Sequence, residues 1–225
     1  MGALNQVQIF AKAPVPGEVK RRLQPPLSAV EAAALHEAFV RDVVARELRP
    51  GRAVTVWRAG DPHHGLWRDL RALGVPVVAQ DGADLGRRMA HALHTGLHAG
   101  EKVVLIGTDT PSLPAEVTER AFAALDEVPV VLGPACDGGY YLIGVRGAVP
   151  DAFTGVAWGS ARVLAQTLSR LDAQAVPWAL VDFWYDVDRP ADLALLAHHV
   201  GQLADPPPAT TAALTALGDA HHGWA

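Results

Sequence analysis

The sequence predicts an α/β fold in which a mostly parallel sheet is covered by helices on both faces. Seven short runs of β-branched and other apolar residues recur along the chain: VQIF (7–10), AVTVW (53–57), VPVVA (75–79), KVVLIG (102–107), PVVLG (129–133), YYLIGV (140–145) and WALVDF (178–183). Stretches with helical periodicity separate most of these runs, and such alternation is typical of a parallel sheet layered with helices. The near-continuous apolar character of KVVLIG indicates a central strand that is buried on both faces.

The helix that follows the first strand carries the clearest local signals. Ser28 and Glu31 form the S-x-x-E pattern of a capping box. Apolar residues then follow at helical spacing, and Arg49-Pro50-Gly51 predicts the end of the helix. Four further helices are predicted: at about 84–98, from a first turn that contains Pro114, at about 160–171, and at about 190–200.

The length of 225 residues predicts one large domain. We assign residues 1–203 to this domain and residues 204–225 to a Pro-rich tail, because three consecutive prolines at 206–208 interrupt the chain before one short helix. Two segments inside the domain, residues 12–26 and 146–158, lack a regular period. Connections of this length within a compact domain are usually functional or disordered.

Composition excludes several classes of protein. The net charge of −5 argues against a nucleic-acid-binding protein, and the single cysteine, Cys136, excludes an internal disulfide. No apolar run reaches the roughly 18 residues of a membrane span, and the N-terminal residues lack the basic and apolar regions of a secretory signal. We therefore expect a cytoplasmic protein whose partners are small molecules rather than nucleic acid or a membrane.

The loop after the first strand is strongly basic. Ligands of open α/β sheets bind beyond the carboxyl ends of the strands, and Lys12, Lys20, Arg21 and Arg22 all follow the first strand closely. Arginine forks and lysine point charges suit the oxygens of a polyphosphate. The alternative is a solvated charged loop, because charge runs are common on protein surfaces.

Acidic residues follow the central strand and the last strand. Asp109 comes just after KVVLIG, and Mg²⁺ prefers one or two carboxylates together with waters and substrate phosphates; the alternative is a turn aspartate ahead of a proline. Asp186 and Asp188 follow the last strand and would point to the same side if the strand continued through them. One of them would then complete a metal site, unless Asp188 is the N-cap of the next helix.

Two turns that contain glycine are candidates for ligand contacts. In Asp137-Gly138-Gly139 the two glycines after an acid permit close approach of the backbone to a ligand, although a plain Asp-Gly hairpin turn has the same pattern. Gln80 lies in the second turn, where its side chain could read the edge of a nucleobase. The alternative there is a strand-to-helix turn with Asp84 as the N-cap.

Some residues favour a structural interpretation over a functional one. His91, His94 and His98 lie on one helix stripe, but without an evident fourth ligand we interpret them as a partly solvated helix face. Trp158 lies in the long loop opposite the predicted ligand, although packing is the usual role of a tryptophan.

Five motifs in a fixed order are more specific than any one of them. They are FAKAPVPGEVKRRL, QDGADLGRRM, VLIGTDTPSLP, LGPACDGGYYLIGV and DVDRPADL, and they extend from residue 10 to residue 193. In this order the chain resembles the DUF2064 proteins, which have a glycosyltransferase-A fold and are relatives of MobA-like and phospholactate-guanylyltransferase-like nucleotidyltransferases. The resemblance implies a three-layer α/β sandwich of that fold, with the nucleotide bound on its N-terminal side.

The resemblance also implies roles for individual residues. It makes Asp109 the metal aspartate and Asp188 its partner, with Mg²⁺ or Mn²⁺ as the cofactor. The residues implied to lie near the phosphates or the base are Lys12, Lys20, Arg22, Gln80 and Gly82. The chain departs from the family pattern at Arg21 and Arg189, which both stand where a threonine is usual, and at Gly159-Ser160, where Ser-Thr is usual after Trp158. Arg21 adds charge to the loop, and Arg189 leaves the arrangement around the second metal ligand open.

Three functions are compatible with these features. The leading hypothesis is a metal-dependent nucleotidyltransferase, in which a small phosphorylated or anionic acceptor attacks the α-phosphorus of an NTP and pyrophosphate leaves. The alternative is a glycosyltransferase with an NDP-sugar donor, for which Asp137 would be the base. The basic loop favours the first, because a triphosphate needs more cations than a metal-bound diphosphate. A nucleotide-binding module without turnover would leave the paired aspartates unexplained.

The predicted site therefore combines three groups of residues. The predicted catalytic residues are Lys20, Arg22, Asp109 and Asp137. Arg21 is predicted to join the phosphate-binding residues. The residues predicted to meet the acceptor are Asp137, Gly138, Gly139, Tyr140 and Trp158.

Overall fold

The computed structural model describes residues 5–220, in which seven strands form one sheet. The strands are β1 (Asn5–Lys12), β2 (Arg52–Ala59), β3 (Val77–Ala79), β4 (Lys102–Ile106), β5 (Val130–Pro134), β6 (Tyr140–Arg146) and β7 (Trp178–Leu180). Their order is β3-β2-β1-β4-β6-β5-β7, and within it β6 runs antiparallel to its neighbours β4 and β5. The remaining pairs are parallel, so the predicted mostly parallel mixed sheet is confirmed.

Helices connect most of the strands and extend beyond the last one. They are α1 (Ala29–Glu47), α2 (Gly65–Ala72), α3 (Leu85–Ala99), α4 (Ala115–Glu127), α5 (Val163–Ala173), α6 (Pro190–Val200) and α7 (Pro208–Ala220), with a 3₁₀ turn at Arg21–Leu23 in the loop after β1. The sequence predictions include all of these helices except α2. Helix α2 has only eight residues, and His64 caps it instead of a serine, threonine or aspartate, so neither its period nor its start is evident from the sequence.

The helix caps confirm most of the predicted starts. Ser28 Oγ accepts a hydrogen bond from the Glu31 N–H at 3.2 Å, and the Glu31 carboxylate accepts one from the Ser28 N–H at 2.7 Å. This is the predicted capping box. Pro114, however, is the N-cap of α4 and precedes the first turn, in which the sequence had placed it. Its extended backbone ends the preceding loop and does not start the helix.

Two hydrophobic cores, one on each face of the sheet, make the three layers. On one face the sheet packs against α1, α2 and α4, with Val43, Trp67 and Leu125 among the buried side chains. On the other face Leu93 of α3 and Leu171 of α5 lie in the second core. The predicted three-layer sandwich is therefore confirmed.

Helices α6 and α7 form a third hydrophobic cluster on the outer side of α1. Leu196 of α6 and Leu214 of α7 pack there with Phe39 of α1. The Asp42 carboxylate on α1 also accepts hydrogen bonds from the first-turn N–H groups of Ala209 and Thr210, at 3.0 and 2.6 Å. The described part of the tail thus packs against the domain. The predicted boundary at residues 203/204 stays a prediction, and residues 1–4 and 221–225 lie outside the described residues.

The strand order creates a crevice at one edge of the sheet. Strand β1 lies between β2 and β4, with Ile9 opposite both Val56 and Ile106. The chain therefore leaves β1 toward one side of the sheet and later returns on the other side. Ligands of open α/β sheets bind beyond the carboxyl ends of the strands at such a switch point.

Within residues 5–220, no helix combines the length and the apolar composition that a membrane crossing needs.

Candidate active site

A cleft of about 450 Å³ opens at the carboxyl ends of β1 and β4. It collects residues from loops that are far apart in sequence. The predicted site residues that line it are Lys12, Gln80, Asp109, Asp137, Tyr140 and Asp188, and His36 and Asp186 line it as well. Because Gln80 follows β3 and the aspartates follow β4, β5 and β7, the cleft extends from an amide at one end to a group of carboxylates at the other.

The Lys20 ammonium lies between the two predicted metal ligands. Its Nζ is 2.6 Å from Asp109 Oδ1 and 3.0 Å from Asp188 Oδ1, and it donates a third hydrogen bond to the Val187 carbonyl at 2.7 Å. The Lys20 side chain is only 4% exposed, and its Nζ lies 5.6 Å from the centre of the Phe39 ring. Three loops, after β1, β4 and β7, therefore meet at one buried cation.

Lys20 and Asp109 each favour the ionised form of the other. Burial by itself would lower the pKa of Lys20, but Asp109 and Asp188 outweigh it and hold that pKa above its usual value. Burial would likewise raise the pKa of Asp109, but Lys20 in particular, and His36 as well, hold it below its usual value. Lys20 is therefore a cation and Asp109 an anion at neutral pH.

The carboxylate of Asp188 does not cap helix α6. Asp192 accepts hydrogen bonds from the N–H groups of Asp188 and Arg189, at 3.0 and 2.7 Å, and Arg189 is the N-cap. The side chain of Asp188 is thereby left to contact Lys20 in the cleft. The alternative interpretation of Asp188 as an N-cap is wrong.

Asp186 also lines the cleft, although the strand does not continue through it. Strand β7 ends at Leu180, so the alternation of side chains along a strand does not place Asp186 and Asp188 on the same side. Both residues nevertheless border the cleft. Burial raises the pKa of Asp186 to about 7, and the negative charges of Asp109, Asp137 and Asp188 add to the rise. The D-x-D spacing alone could not separate the two aspartates, because their difference comes from the surrounding loops.

The sequence predictions missed His36. This buried residue of α1 lines the cleft, with its Nε2 3.1 Å from the Lys12 carbonyl oxygen and its Nδ1 4.0 Å from Asp109 Oδ1. Burial lowers its pKa, and the charge of Lys20 adds to that effect against the opposing charge of Asp109. The available signal was a histidine on the apolar stripe of α1, one turn before Phe39.

The four cations of the basic loop have different partners in this structure. Lys12 pairs with Glu18 at 3.7 Å and donates to the Glu18 carbonyl at 2.9 Å. Arg22 is exposed over 67% of its side chain, with Nη1 3.8 Å from Asp188 Oδ2. Arg21 is exposed too and has no ion pair within residues 5–220. Arg21 and Arg22 are thus exposed residues next to Lys20 in the chain, and the predicted phosphate contacts of all four cations stay predictions.

The turn after β3 contributes Gln80 but not Gly82 to the cleft. Gln80 Nε2 donates to the Trp57 carbonyl at 3.0 Å, which fixes the amide at the cleft wall. Gly82 has a φ of +142°, and a Cβ there would come within 2.7 Å of the Arg88 N atom. This glycine is required by packing against the first turns of α3. Asp84 accepts from the Arg87 N–H at 2.8 Å and is the N-cap of α3, as the alternative interpretation predicted.

The turn between β5 and β6 places Asp137 at the cleft. Its Oδ1 accepts a hydrogen bond from the Gly139 N–H at 2.8 Å. Gly138 has a φ of +86°, and a Cβ there would collide with the Ala161 carbonyl ahead of α5. The close approach at Gly138 is therefore between two protein backbones. Tyr140 lines the cleft wall, and burial raises the pKa of its hydroxyl. The acceptor contacts of this turn stay predictions.

Trp158 lies beside a neighbouring cavity of about 650 Å³ and does not line the cleft. Its ring is 6.2 Å from the Phe153 ring, and both residues press on Gly86, where a Cβ would fall within 2.9 Å of each of them. A packing role accounts for this position, and the predicted contact of Trp158 with the acceptor has no support in its placement. His91 of the predicted histidine stripe packs edge-on against Trp57 at 5.4 Å.

The residues present fit a metal ion that is bound together with phosphates. Asp109 and Asp188 already share one cation, and their hard oxygen donors suit Mg²⁺ or Mn²⁺. Within residues 5–220, no group of three or more His, Cys, Asp or Glu residues is arranged to hold a metal. Mg²⁺ commonly binds through one or two carboxylates plus substrate phosphates, so the pair fits a metal whose remaining ligands come with a polyphosphate.

Several solved structures are similar to this chain in overall fold. A crystal structure from Desulfovibrio desulfuricans G20, described as a candidate nucleotide-diphospho-sugar transferase, is 32% identical, with a TM-score of 0.87 over 96% of this chain and 95% of that one. The 4-diphosphocytidyl-2C-methyl-D-erythritol synthase from Anaerococcus prevotii DSM 20548 is 10% identical, with a TM-score of 0.58 over 90% of this chain and 100% of that one. The inositol-1-phosphate CTP transferase from T. maritima is 17% identical, with a TM-score of 0.53 over 85% and 92% of the two chains.

The similarities to the Anaerococcus prevotii synthase and to the T. maritima transferase, at 10% and 17% identity, show a shared fold alone. No curated protein matches the chain. The family model described as an uncharacterized protein conserved in bacteria, DUF2064, matches residues 43–160, which is more than half of the sequence. The chain therefore belongs to the DUF2064 family, and it has the fold of nucleotidyl- and nucleotide-sugar transferases.

Proposed function

We propose that the protein is a metal-dependent nucleotidyltransferase, which transfers an NMP from an NTP to a small phosphorylated or anionic acceptor and releases pyrophosphate. The observation that carries the proposal is the Asp109–Lys20–Asp188 cluster at the switch point of the sheet, with the exposed Arg22 3.8 Å from Asp188 and the exposed Arg21 next to it in the chain. Such a site has anions for a metal and cations for phosphates within a few ångströms of each other. A cytoplasmic location, as expected from the sequence, is part of this proposal.

The residues that line the cleft suit a nucleotide. Gln80 at the β3 end offers an amide oxygen to a base, because its Nε2 is engaged by the Trp57 carbonyl. The phosphates would then lie near Asp109 and Asp188, where a bound Mg²⁺ or Mn²⁺ would neutralise charge on the reacting phosphate. Asp137 and Tyr140 border the side on which an acceptor could enter.

The protein's own contribution is positioning and charge. Nucleotidyl transfer needs little covalent chemistry from the enzyme, so orientation and fixed charges carry most of the rate. Arg21 and Arg22 would bind the phosphates that leave, because they are exposed and carry planar donor forks. Asp109 and Asp188 would hold the metal, with Asp188 kept in place by the backbone contacts of its neighbours.

Glycosyl transfer from an NDP-sugar is the second candidate. It is favoured by the 32% identical structure, whose description is a nucleotide-diphospho-sugar transferase, and by the engagement of Lys12 and Lys20 with carboxylates, which lowers the number of free cations in the loop. In that reaction Asp137 would take the proton from an acceptor hydroxyl. A non-catalytic nucleotide-binding module is the third possibility, and turnover of any donor would exclude it.

A ligand panel tests the proposal. Ligand binding stabilises the folded protein by RT ln(1 + [L]/Kd), so thermal unfolding should be measured with NTPs and NDP-sugars, each with and without Mg²⁺ or Mn²⁺. We expect one NTP with metal to give the largest rise in Tm, and that NTP to release pyrophosphate when acceptor phosphates are added. A larger rise with an NDP-sugar, followed by sugar transfer, would replace the proposal with the second candidate.

A further inference from the structure

We propose that Lys20 is the resident cation of the Asp109–Asp188 pair, and that a divalent metal and the donor phosphates bind cooperatively because only together do they displace it. The inference deepens the proposed function and rests on it. It assigns Lys20 a role in coupling two ligands, in addition to the phosphate contact expected from the sequence.

The contacts of Lys20 are complete without any ligand. Three oxygens, from Asp109, Asp188 and the Val187 carbonyl, surround its Nζ at 2.6 to 3.0 Å. An ammonium has three N–H donors, so all of them are used. The Lys20 side chain is only 4% exposed, whereas those of Asp109 and Asp188 are 41% and 39% exposed, so a buried cation holds two carboxylates that a ligand can still reach. A metal that uses both carboxylates must take the place of this cation.

The backbone at Lys20 links this cation to the exposed arginines. Lys20 has φ 45° and ψ 38°, in the left-handed region that a long side chain seldom adopts. It is the N-cap of the 3₁₀ turn Arg21–Leu23, and its carbonyl accepts a hydrogen bond from the Leu23 N–H at 2.9 Å. Such a conformation persists when surrounding contacts impose it. Release of the Lys20 side chain would therefore free the turn that carries Arg21 and Arg22.

Displacement by a metal alone is unfavourable. The ammonium would lose its three acceptors and would lie beside a divalent cation, and a buried charge without a partner is costly. A polyphosphate that arrives with the metal supplies new acceptor oxygens for Lys20 and more for the two arginines. Metal and phosphates should therefore each raise the affinity of the other, and by linkage the two effects are equal.

The test measures Mn²⁺ alone, without nucleotide. Lys20→Gln removes the charge but keeps hydrogen-bond donors, and we expect it to bind Mn²⁺ at least tenfold more tightly than the wild type in calorimetric titrations. Lys20→Arg keeps a cation and should bind Mn²⁺ as weakly as the wild type. Lys102→Met is the matched control, because this lysine pairs with Asp126 at the other end of β4 and its loss changes the net charge equally.

The outcomes separate this inference from the proposed function. A folded Lys20→Gln protein that binds Mn²⁺ no more tightly than the wild type overturns the role of Lys20, and so does an equal gain in Lys102→Met. If Lys20→Gln does not fold, thermal unfolding of the wild type should be measured with Mn²⁺, with tripolyphosphate and with both together. A Tm shift with both ligands that is no greater than the sum of the two separate shifts overturns the coupling. Absence of turnover with any NTP would refute the proposed reaction and leave these binding results intact.

Discussion

The Val187 N–H donates a hydrogen bond to the Asp109 carbonyl at 2.9 Å. This single backbone contact joins the loop after β4 to the segment after β7, and it sets the carboxylates of Asp109 and Asp188 on either side of Lys20. The same segment is attached to the end of β5 by hydrogen bonds of the Trp184 N–H to the Pro134 carbonyl and of the Cys136 N–H to the Trp184 carbonyl, both at 3.0 Å. The acidic end of the cleft is thus built by backbone geometry, on which the first predictions depend.

Asp109→Asn should fold and lose metal-dependent nucleotide binding. The amide keeps the size of the side chain but carries no charge for a metal, so we expect the affinity measured by calorimetry with Mg²⁺ to fall at least tenfold, or about 1.4 kcal/mol. Asp126→Asn, which removes an exposed carboxylate far from the cleft, is the control. Unchanged Mg²⁺-dependent affinity in Asp109→Asn would show that this carboxylate holds no metal.

Asp188→Asn should weaken Mn²⁺ binding more than Asp186→Asn does. Asp188 shares Lys20 with Asp109, whereas Asp186 borders the cleft without an ion pair within residues 5–220. We expect the difference to be about tenfold in Kd, measured in the presence of the preferred nucleotide. A metal found nearer to the Asp186 carboxylate in a crystal structure with nucleotide would reverse this assignment.

Replacement of both Arg21 and Arg22 by alanine should separate the two transferase hypotheses. Hydrogen bonds to charged groups contribute about 1.5–3 kcal/mol each, and these exposed side chains belong to the lower end of that range. If the arginines bind a γ-phosphate, the double variant should lose about tenfold more affinity for an NTP than for the matching NDP, at one fixed salt and Mg²⁺ concentration. Equal losses for the two nucleotides would favour sugar transfer.

Tyr185→Phe should destabilise the segment that carries Asp186 and Asp188. The Tyr185 hydroxyl accepts from Ser112 Oγ at 3.0 Å and is hydrogen-bonded to His199 Nδ1 at 2.8 Å. Each lost bond costs about 0.5–1.5 kcal/mol, measurable by urea unfolding. Ser112→Ala removes one of the same bonds, so the losses of the two variants should not add. Additive losses would mean that the two hydroxyls act independently.

Gly138→Ala and Gly147→Ala form a matched pair that tests the turn beside the cleft. Both glycines have positive φ, +86° and +76°, but a Cβ at Gly147 meets nothing within 4 Å, whereas one at Gly138 collides with the Ala161 carbonyl. The shared backbone strain costs about 1–2 kcal/mol, and overpacking should add about 1–3 kcal/mol at Gly138 alone. Equal stability with a loss of ligand binding only in Gly138→Ala would instead assign that glycine to the ligand.

Local sequence signals were sufficient for most secondary structure, and they failed where the signal is weak or long-range. The capping box of Ser28 and Glu31 depends on residues three positions apart, so it could be recognised directly. Helix α2 was missed because His64 is an unusual cap and the helix is short. The role of His36 was missed because a histidine among apolar residues has the same pattern whether it faces a core or a cleft.

The sequence by itself determined the α/β class, the seven strand positions, the DUF2064 family and the loops that border the cleft, because these depend on periodicity and on motifs that are contiguous in the chain. Only the tertiary structure decided what each charged side chain contacts. Lys20 is buried between Asp109 and Asp188, and Asp192, rather than Asp188, accepts the hydrogen bonds at the start of α6. The energy of an ion pair depends on the distance between its charges and on their burial, and both arise from the meeting of three loops that are distant in sequence.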